Sequence, residues 1–203
     1  MRAILVSVDY ADLLAVTLPY NRHHFSDVMV VTSKADHASQ EIARNCGAQC
    51  YVTDSFYEAG AVFNKWKSLE EGLDVFGRHG WLCIMDADVL WPKSIPDFKL
   101  TEGYLYTPRR HMLLDLRQGI PLDETEWAGI PLHHQEVEFA GYSQMFHCDD
   151  PYLGPPPWHE TNWRHAGGAD SFFQAKWPNE NKIRPPFNVL HLGPAGKNWC
   201  GRA

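Results

Sequence analysis

Four short apolar runs in the first half of the chain, with helical spacing between them, restrict the fold more than any other feature. The runs are "AILVSV" (3–8), "DVMVVT" (27–32), "AQCYVT" (48–53) and "WLCIMD" (81–86). The first is continuous rather than alternating, which is the pattern of a strand buried on both faces. Between them lie "ADLLAVTLPYN" (11–21), "HASQEIARNCG" (37–47) and "NKWKSLEEGLDVFG" (64–77). In the last of these Trp66, Leu69, Leu73 and Phe76 recur at a helical period. Gly47 and Gly77 stand where helices stop. Strand and helix in alternation build a mostly parallel sheet covered by helices. The sequence therefore predicts an α/β fold of Rossmann-like type.

Beyond Pro92 the texture changes. Short strand-like pieces ("GYLYTP", "FAGYSQMFH") alternate with polar or Pro-rich loops, above all "CDDPYLGPPPWHETNWRHAGG" (148–168). One further helix is predicted, over "GADSFFQAKW" (168–177). A single domain, 1–203, thus divides into a parallel-sheet half (1–92), a smaller half (93–190) and a closing segment (191–203). The length suffices for one sizeable core.

Ligands in open α/β sheets bind beyond the carboxyl ends of the strands. Asp9, Thr32, Ser33, Thr53, Asp54, Asp86 and Asp88 all fall there. Asp86 and Asp88 share a face if the strand continues, since side chains two apart point the same way. Paired carboxylates repel each other unless a cation sits between them. Neither a G-x-G-x-x-G fingerprint nor a G-x-x-x-x-G-K-[ST] phosphate loop is present, so a bound diphosphate needs neutralising by other means. A metal on Asp86 and Asp88 would do it. The closing "HLGPAGKNWCG" adds an imidazole, flexible glycines and a lysine. Its glycines and prolines predict no helix or strand beyond Leu192, and a mobile tail.

Composition excludes little else. A formal net charge of −7 argues against general nucleic-acid binding. The basic cluster Arg109, Arg110 and His111 reads as a solvated turn after Pro108, although it offers a phosphate contact. Five scattered cysteines without a C-x-x-C pair suit a reducing compartment. The chain enters "RAILVSV" at once, leaving no room for a signal peptide, and no run reaches membrane-spanning length. A cytoplasmic protein with no membrane span is the expectation.

Taken together, these segments resemble the GT-A family of nucleotide-sugar glycosyltransferases. "DAD" after a hydrophobic strand looks like the family's metal-binding D-x-D. The tail is similar to the H-x-x-G-x-x-K-P-W segment of the glycogenin and lipopolysaccharide galactosyltransferase branch. His191, Lys197 and Trp199 keep its spacing, Gly193 and Gly196 flank the usual glycine, and Asn198 replaces the proline. "GGAD" (167–170) resembles the W-G-G-E-D segment of inverting members, with Ala169 in place of the acid. "FNKWKSLEEGL" resembles a helix start that carries a lysine, here Lys65.

The resemblance implies a metal-dependent transferase that moves a sugar from a nucleoside-diphosphate sugar, UDP above all, to a hydroxyl acceptor. Mn²⁺ or Mg²⁺ would sit on Asp86, Asp88 and His191, mixed oxygen and nitrogen ligation favouring Mn²⁺. Val8, Asp9, Tyr10, Thr32, Ser33, Lys65, Asp86 and Ala87 would line the donor pocket, with Gly193, Gly196 and Lys197 closing over the diphosphate. The three segments become a nucleotide-binding half, an acceptor-side half and a donor-closing tail. Asp170 would be the general base of an inverting reaction. Gln144 is the candidate beside the reacting carbon if configuration is retained, as the tail implies.

Trp158 and Trp163, in the long Pro-rich loop, would flank the acceptor, while Trp177 is assigned to the core. The acceptor stays open among a glycan, a small molecule, a lipid headgroup, a protein side chain and a modified nucleobase in DNA. So does the oligomeric state. Two other classes compete. "DADVL" also fits the D-x-D-x-[TV] motif of haloacid-dehalogenase phosphatases, with Asp86 as nucleophile, although that motif belongs on a first strand. A non-catalytic nucleotide- or sugar-binding module of the same fold is the other.

Overall fold

The computed structural model describes residues 1–133, 139–194 and 200–202. Its first strand, β1 (Arg2–Val6), is buried along its whole length and pairs in parallel with β2 (Val28–Thr32) on one side and β4 (Trp81–Asp86) on the other. β3 (Gln49–Val52) extends the parallel set beyond β2. Between these strands run α1 (Ala11–Asn21), α2 (His37–Asn45) and α3 (Lys65–Phe76). Each apolar run thus became a strand and each periodic stretch a helix, with boundaries shifted by a few residues.

Alternation along the strands sorts the core into two layers. Ile4, Val6, Met29, Val31, Leu82 and Ile84 pack with Trp66, Leu69 and Leu73 of α3. Ala3, Leu5, Val28, Val30, Cys83 and Met85 pack with Leu14 and Leu18 of α1 and Ala43 of α2. Gly72 is required on the first side, because a Cβ there would lie 2.6 Å from Val31 Cγ2. That close approach seats α3 on the sheet.

Past β4 the direction reverses. After the two-residue β5 (Val89–Leu90) come β6 (Leu105–Tyr106), β7 (Arg109–Leu113), β8 (Ser143–His147), β9 (Lys182–Ile183) and β10 (Asn188–Leu192), with α4 (Ala169–Gln174) between β8 and β9. The main sheet has seven strands in the order β3-β2-β1-β4-β8-β6-β9, and β8 is antiparallel to β4. A second sheet of three strands runs β5-β10-β7. No helix among the described residues is long and apolar enough to cross a membrane.

Two expectations are corrected here. Arg109, Arg110 and His111 belong to β7, paired in parallel with β10, rather than to a solvated turn. Trp158 is buried at 4% exposure in the core, and its indole faces the Arg78 guanidinium at 4.6 Å. Its loop is tied down by Glu70, which accepts from the backbone N–H of Trp158 and His159 and from His159 Nδ1 at 2.6 Å. Trp177 is buried as expected. The fourth helix is shorter than its sequence pattern, ending at Gln174.

Candidate active site

Asp86 ends β4 and Asp88 follows it, one residue short of β5. The second sheet brings the third member of the cluster. β10 pairs antiparallel with β5, so that His191 lies opposite Val89, and Leu192 N–H donates to Asp88 O at 2.8 Å. Asp86, Asp88 and His191 each offer a ligand atom, all within 4.8 Å of one another.

His191 Nδ1 lies 3.3 Å from Gly193 O. A carbonyl only accepts, so this contact places a proton on Nδ1, and in the neutral imidazole Nε2 is then the atom that can ligate. Nε2 is 3.7 Å from Asp88 Oδ1, beyond hydrogen-bonding distance. Asp88 Oδ1 is itself buried with no hydrogen-bond partner. Burial pushes the Asp88 carboxyl up from the ordinary range, and the Asp86 charge adds to this against the opposing pull of His191. A buried carboxylate oxygen without a partner, beside an imidazole nitrogen and a second carboxylate, can hold a divalent cation.

Lys65, the first residue of α3, pairs with Asp86 Oδ1. Burial alone would lower its pKa, but Asp86, Asp170 and Asp88 together outweigh that and hold it above the usual lysine value. Lys65 therefore carries its full charge into the cluster.

These residues floor a cleft of about 590 Å³. Its lining includes Val6, Val8, Tyr10 and Phe63 together with Arg110, Gly141, Tyr142, Gly168 and Asp170. Asp170 stands in the first turn of α4, where its Oδ2 accepts from Gly141 N–H at 2.8 Å. Gly141 has to be glycine for this approach, since a Cβ would meet Asp170 Cβ at 2.9 Å and Trp66 at 3.1 Å. Trp66 in turn donates from Nε1 to Ala166 O at 2.7 Å and fixes the loop before α4.

The remaining sequence-derived candidates divide. Val8, Tyr10, Lys65, Asp86, Ala87, Asp88, Asp170 and His191 all line the cleft. Asp9 adopts a positive φ of 61° beside it, and Thr32 and Ser33 are buried at the end of β2. Gly193, at φ 92°, turns the chain after β10. Gln144 is buried on β8, donates to Phe139 O at 2.6 Å and is not among the cleft residues. Gly196, Lys197, Asn198 and Trp199 lie outside the described residues.

Sequence reasoning missed several residues. Asp36 caps α2 through Ser39 N–H and also accepts from Asp9 N–H at 2.8 Å, tying the end of β1 to β2. The D-x-x-S pattern before α2 was its available signal. Phe63 and Tyr142 carry no motif at all.

Neither a family model nor a curated protein sequence matches the chain. Solved structures match it by shape. Glucosyl-3-phosphoglycerate synthase from Mycobacterium tuberculosis, in complex with Mn²⁺, uridine diphosphate and glucosyl-3-phosphoglycerate, aligns with a TM-score of 0.53 at 11% identity, over 97% of this chain and 71% of that one. The fold is GT-A-like. The inositol-1-phosphate CTP transferase of T. maritima gives 0.53 at 10% identity, over 96% of this chain and 90% of that one. A mycobacterial protein gives 0.53 at 12%, over 94% of this chain; the chain spans only 64% of that protein's length. This GT-A-like architecture, a largely parallel sheet flanked by helices, agrees with the α/β class expected from the sequence. It also puts Asp86 at the end of the fourth strand rather than the first, where the phosphatase motif would belong.

Proposed function

We propose that the protein is a metal-dependent glycosyltransferase that uses a nucleoside-diphosphate sugar, with UDP as the nucleotide. The observation that carries this reading is the cluster of Asp86, Asp88 and His191 at the floor of the cleft, with Asp88 Oδ1 buried and unpartnered. Asp86, Asp88 and His191 would hold the cation, Mn²⁺ by preference, which supplies positive charge to the departing diphosphate.

The chain's own groups do the rest. Val8, Tyr10 and Phe63 give an apolar wall for the nucleobase. Lys65 adds a fixed positive charge beside Asp86, where negative charge develops as the bond to the sugar breaks. Asp170 lines the cleft with its carboxylate held by the Gly141 amide, and as general base it takes the proton of the acceptor hydroxyl. That assignment makes the reaction inverting. The described end of the tail returns to the donor wall: Arg202 forms a two-pronged ion pair with Asp12 and lies 4.9 Å over the Tyr10 ring, while Gly201 faces Phe63. This return supports a donor-closing role for 191–203, with Gly196 and Lys197 in its middle.

The test is a panel of nucleotide sugars with Mn²⁺, scored for slow donor hydrolysis without acceptor. Release of UDP from a UDP-sugar is expected. Release of pyrophosphate from a nucleoside triphosphate with a sugar phosphate would instead mark a nucleotidyltransferase, and no turnover of any donor would leave a binding module.

A further inference from the structure

We infer that the acceptor of this reaction carries an acidic group, a carboxylate or phosphate, which the Arg110 guanidinium binds. The inference rests on the transferase reading above and extends it to the acceptor class.

Arg110 lines the cleft from β7. Its guanidinium lies 4.2 Å over the ring of Tyr142, and among the described residues it forms no ion pair. Tyr142 is a fixed platform. It is 4% exposed, and its hydroxyl donates to Pro108 O and accepts from Arg184 Nη1 at 3.4 Å. A guanidinium held over a ring by its cation–π contact has its N–H groups available for bidentate binding of an oxyanion. The other strong cation of the cleft, Lys65, is committed to Asp86. Arg110 is not.

Position assigns the anion to the acceptor rather than to the donor. Arg110 pairs with Val189, and it is Met112, two residues on, that pairs with His191. The guanidinium is thus rooted about 7 Å along the strand from the metal-ligand position. The residue before its platform, Gly141, donates to Asp170. Arg110 over Tyr142 and Asp170 on Gly141 thus stand at two adjacent residues of the cleft lining. A hydroxyl presented to Asp170 would bring the rest of its molecule past Arg110. An acidic substituent approaching Asp86, Asp88 and Asp170 is repelled by all three; Lys65 is already paired with Asp86, and Arg110 is a second positive charge to offset the rest.

The test has two arms, each run on wild type, Arg110→Met and Arg110→Lys, with circular dichroism to confirm folding. In the first, inorganic phosphate, glucuronate and glucose are titrated in EDTA without nucleotide and read by thermal shift. Phosphate and glucuronate should stabilise the wild type and glucose should not. Arg110→Met, which keeps the apolar stem on Tyr142, should weaken the acids about ten- to a hundredfold, and Arg110→Lys should recover part of the loss. In the second arm UDP is titrated with Mn²⁺, and its affinity should be the same in all three proteins. Two results overturn the inference: acids that bind the wild type no better than glucose, or an Arg110→Met protein that loses UDP while keeping the acids. Should UDP and Mn²⁺ fail to bind the wild type while the acids bind through Arg110, the donor reading falls and the anion site stands.

Discussion

Asp88 Oδ1 and His191 Nε2 face each other at 3.7 Å, beyond hydrogen-bonding distance, and Asp88 Oδ1 has no other partner. The two residues are far apart in sequence and meet because β10 docks beside β5. In the metal-free protein this contact is a cost, and the cost is measurable.

Replacing Asp88 removes a buried carboxylate that only a cation satisfies. Burial raises its folded pKa above the ordinary 3.8. As pH rises, the unfolded chain releases that proton first, so metal-free stability falls from about pH 3.8 through the folded value. Asp88→Asn in EDTA should abolish this loss and raise stability at pH 7 by about 1–3 kcal/mol, the usual cost of an unsatisfied buried group. Thermal melts of both proteins across pH 4–8 would show it. A variant that is less stable than wild type at neutral pH contradicts the picture.

Glu70 and His159 contribute with the opposite sign. Burial holds His159 below its ordinary 6.5, partly countered by Glu70. Glu70 lies below its ordinary 4.5 because its bonds to His159 and the nearby Arg78 charge outweigh its own burial. Both depressed values mean that the unfolded chain takes up protons first as pH falls. The wild type should therefore lose stability from about pH 6.5 downward. At pH 7, Glu70→Gln should cost about 3 kcal/mol or more, because it removes the buried charge that holds Arg78 and His159 and leaves Arg78 only the exposed Asp74. Urea denaturation reads this directly, and an unchanged midpoint would show that the pair does not hold the 148–168 loop.

The parallel half of the fold was legible because burial on both faces forces continuous apolar runs, and Ala11–Asn21 and Trp81–Asp86 stand as expected. β7 was not, since "RRHML" is exposed at one end and gains its strand partner β10 from a segment distant in sequence. For the same reason the D-x-D and the histidine could be named, but nothing local brings His191 to Asp88. That juxtaposition comes from β10 docking on β5. Glu70 and His159 escaped notice because a buried hydrogen-bonded pair on a helix and a loop has no spacing of its own.

Asp170→Asn should slow transfer by a factor of roughly 10² or more, the usual scale for a general base, while UDP affinity stays within about twofold. Gly141→Ala should act at the same place by another route. Its Cβ would push Asp170 away, so turnover should fall without loss of donor binding. Steady-state kinetics with a fixed donor separate the two parameters. Near-normal turnover in Asp170→Asn would remove it from the mechanism.

The most direct measurement is a Mn²⁺ titration with UDP, followed by electron paramagnetic resonance, on wild type, Asp88→Asn and His191→Ala. Wild type should bind a single ion whose affinity rises with UDP. Asp88→Asn should show no saturable binding, and His191→Ala should bind about tenfold or more weakly. Wild-type Mn²⁺ affinity in Asp88→Asn would mean that the cluster of Asp86, Asp88 and His191 is not the metal site.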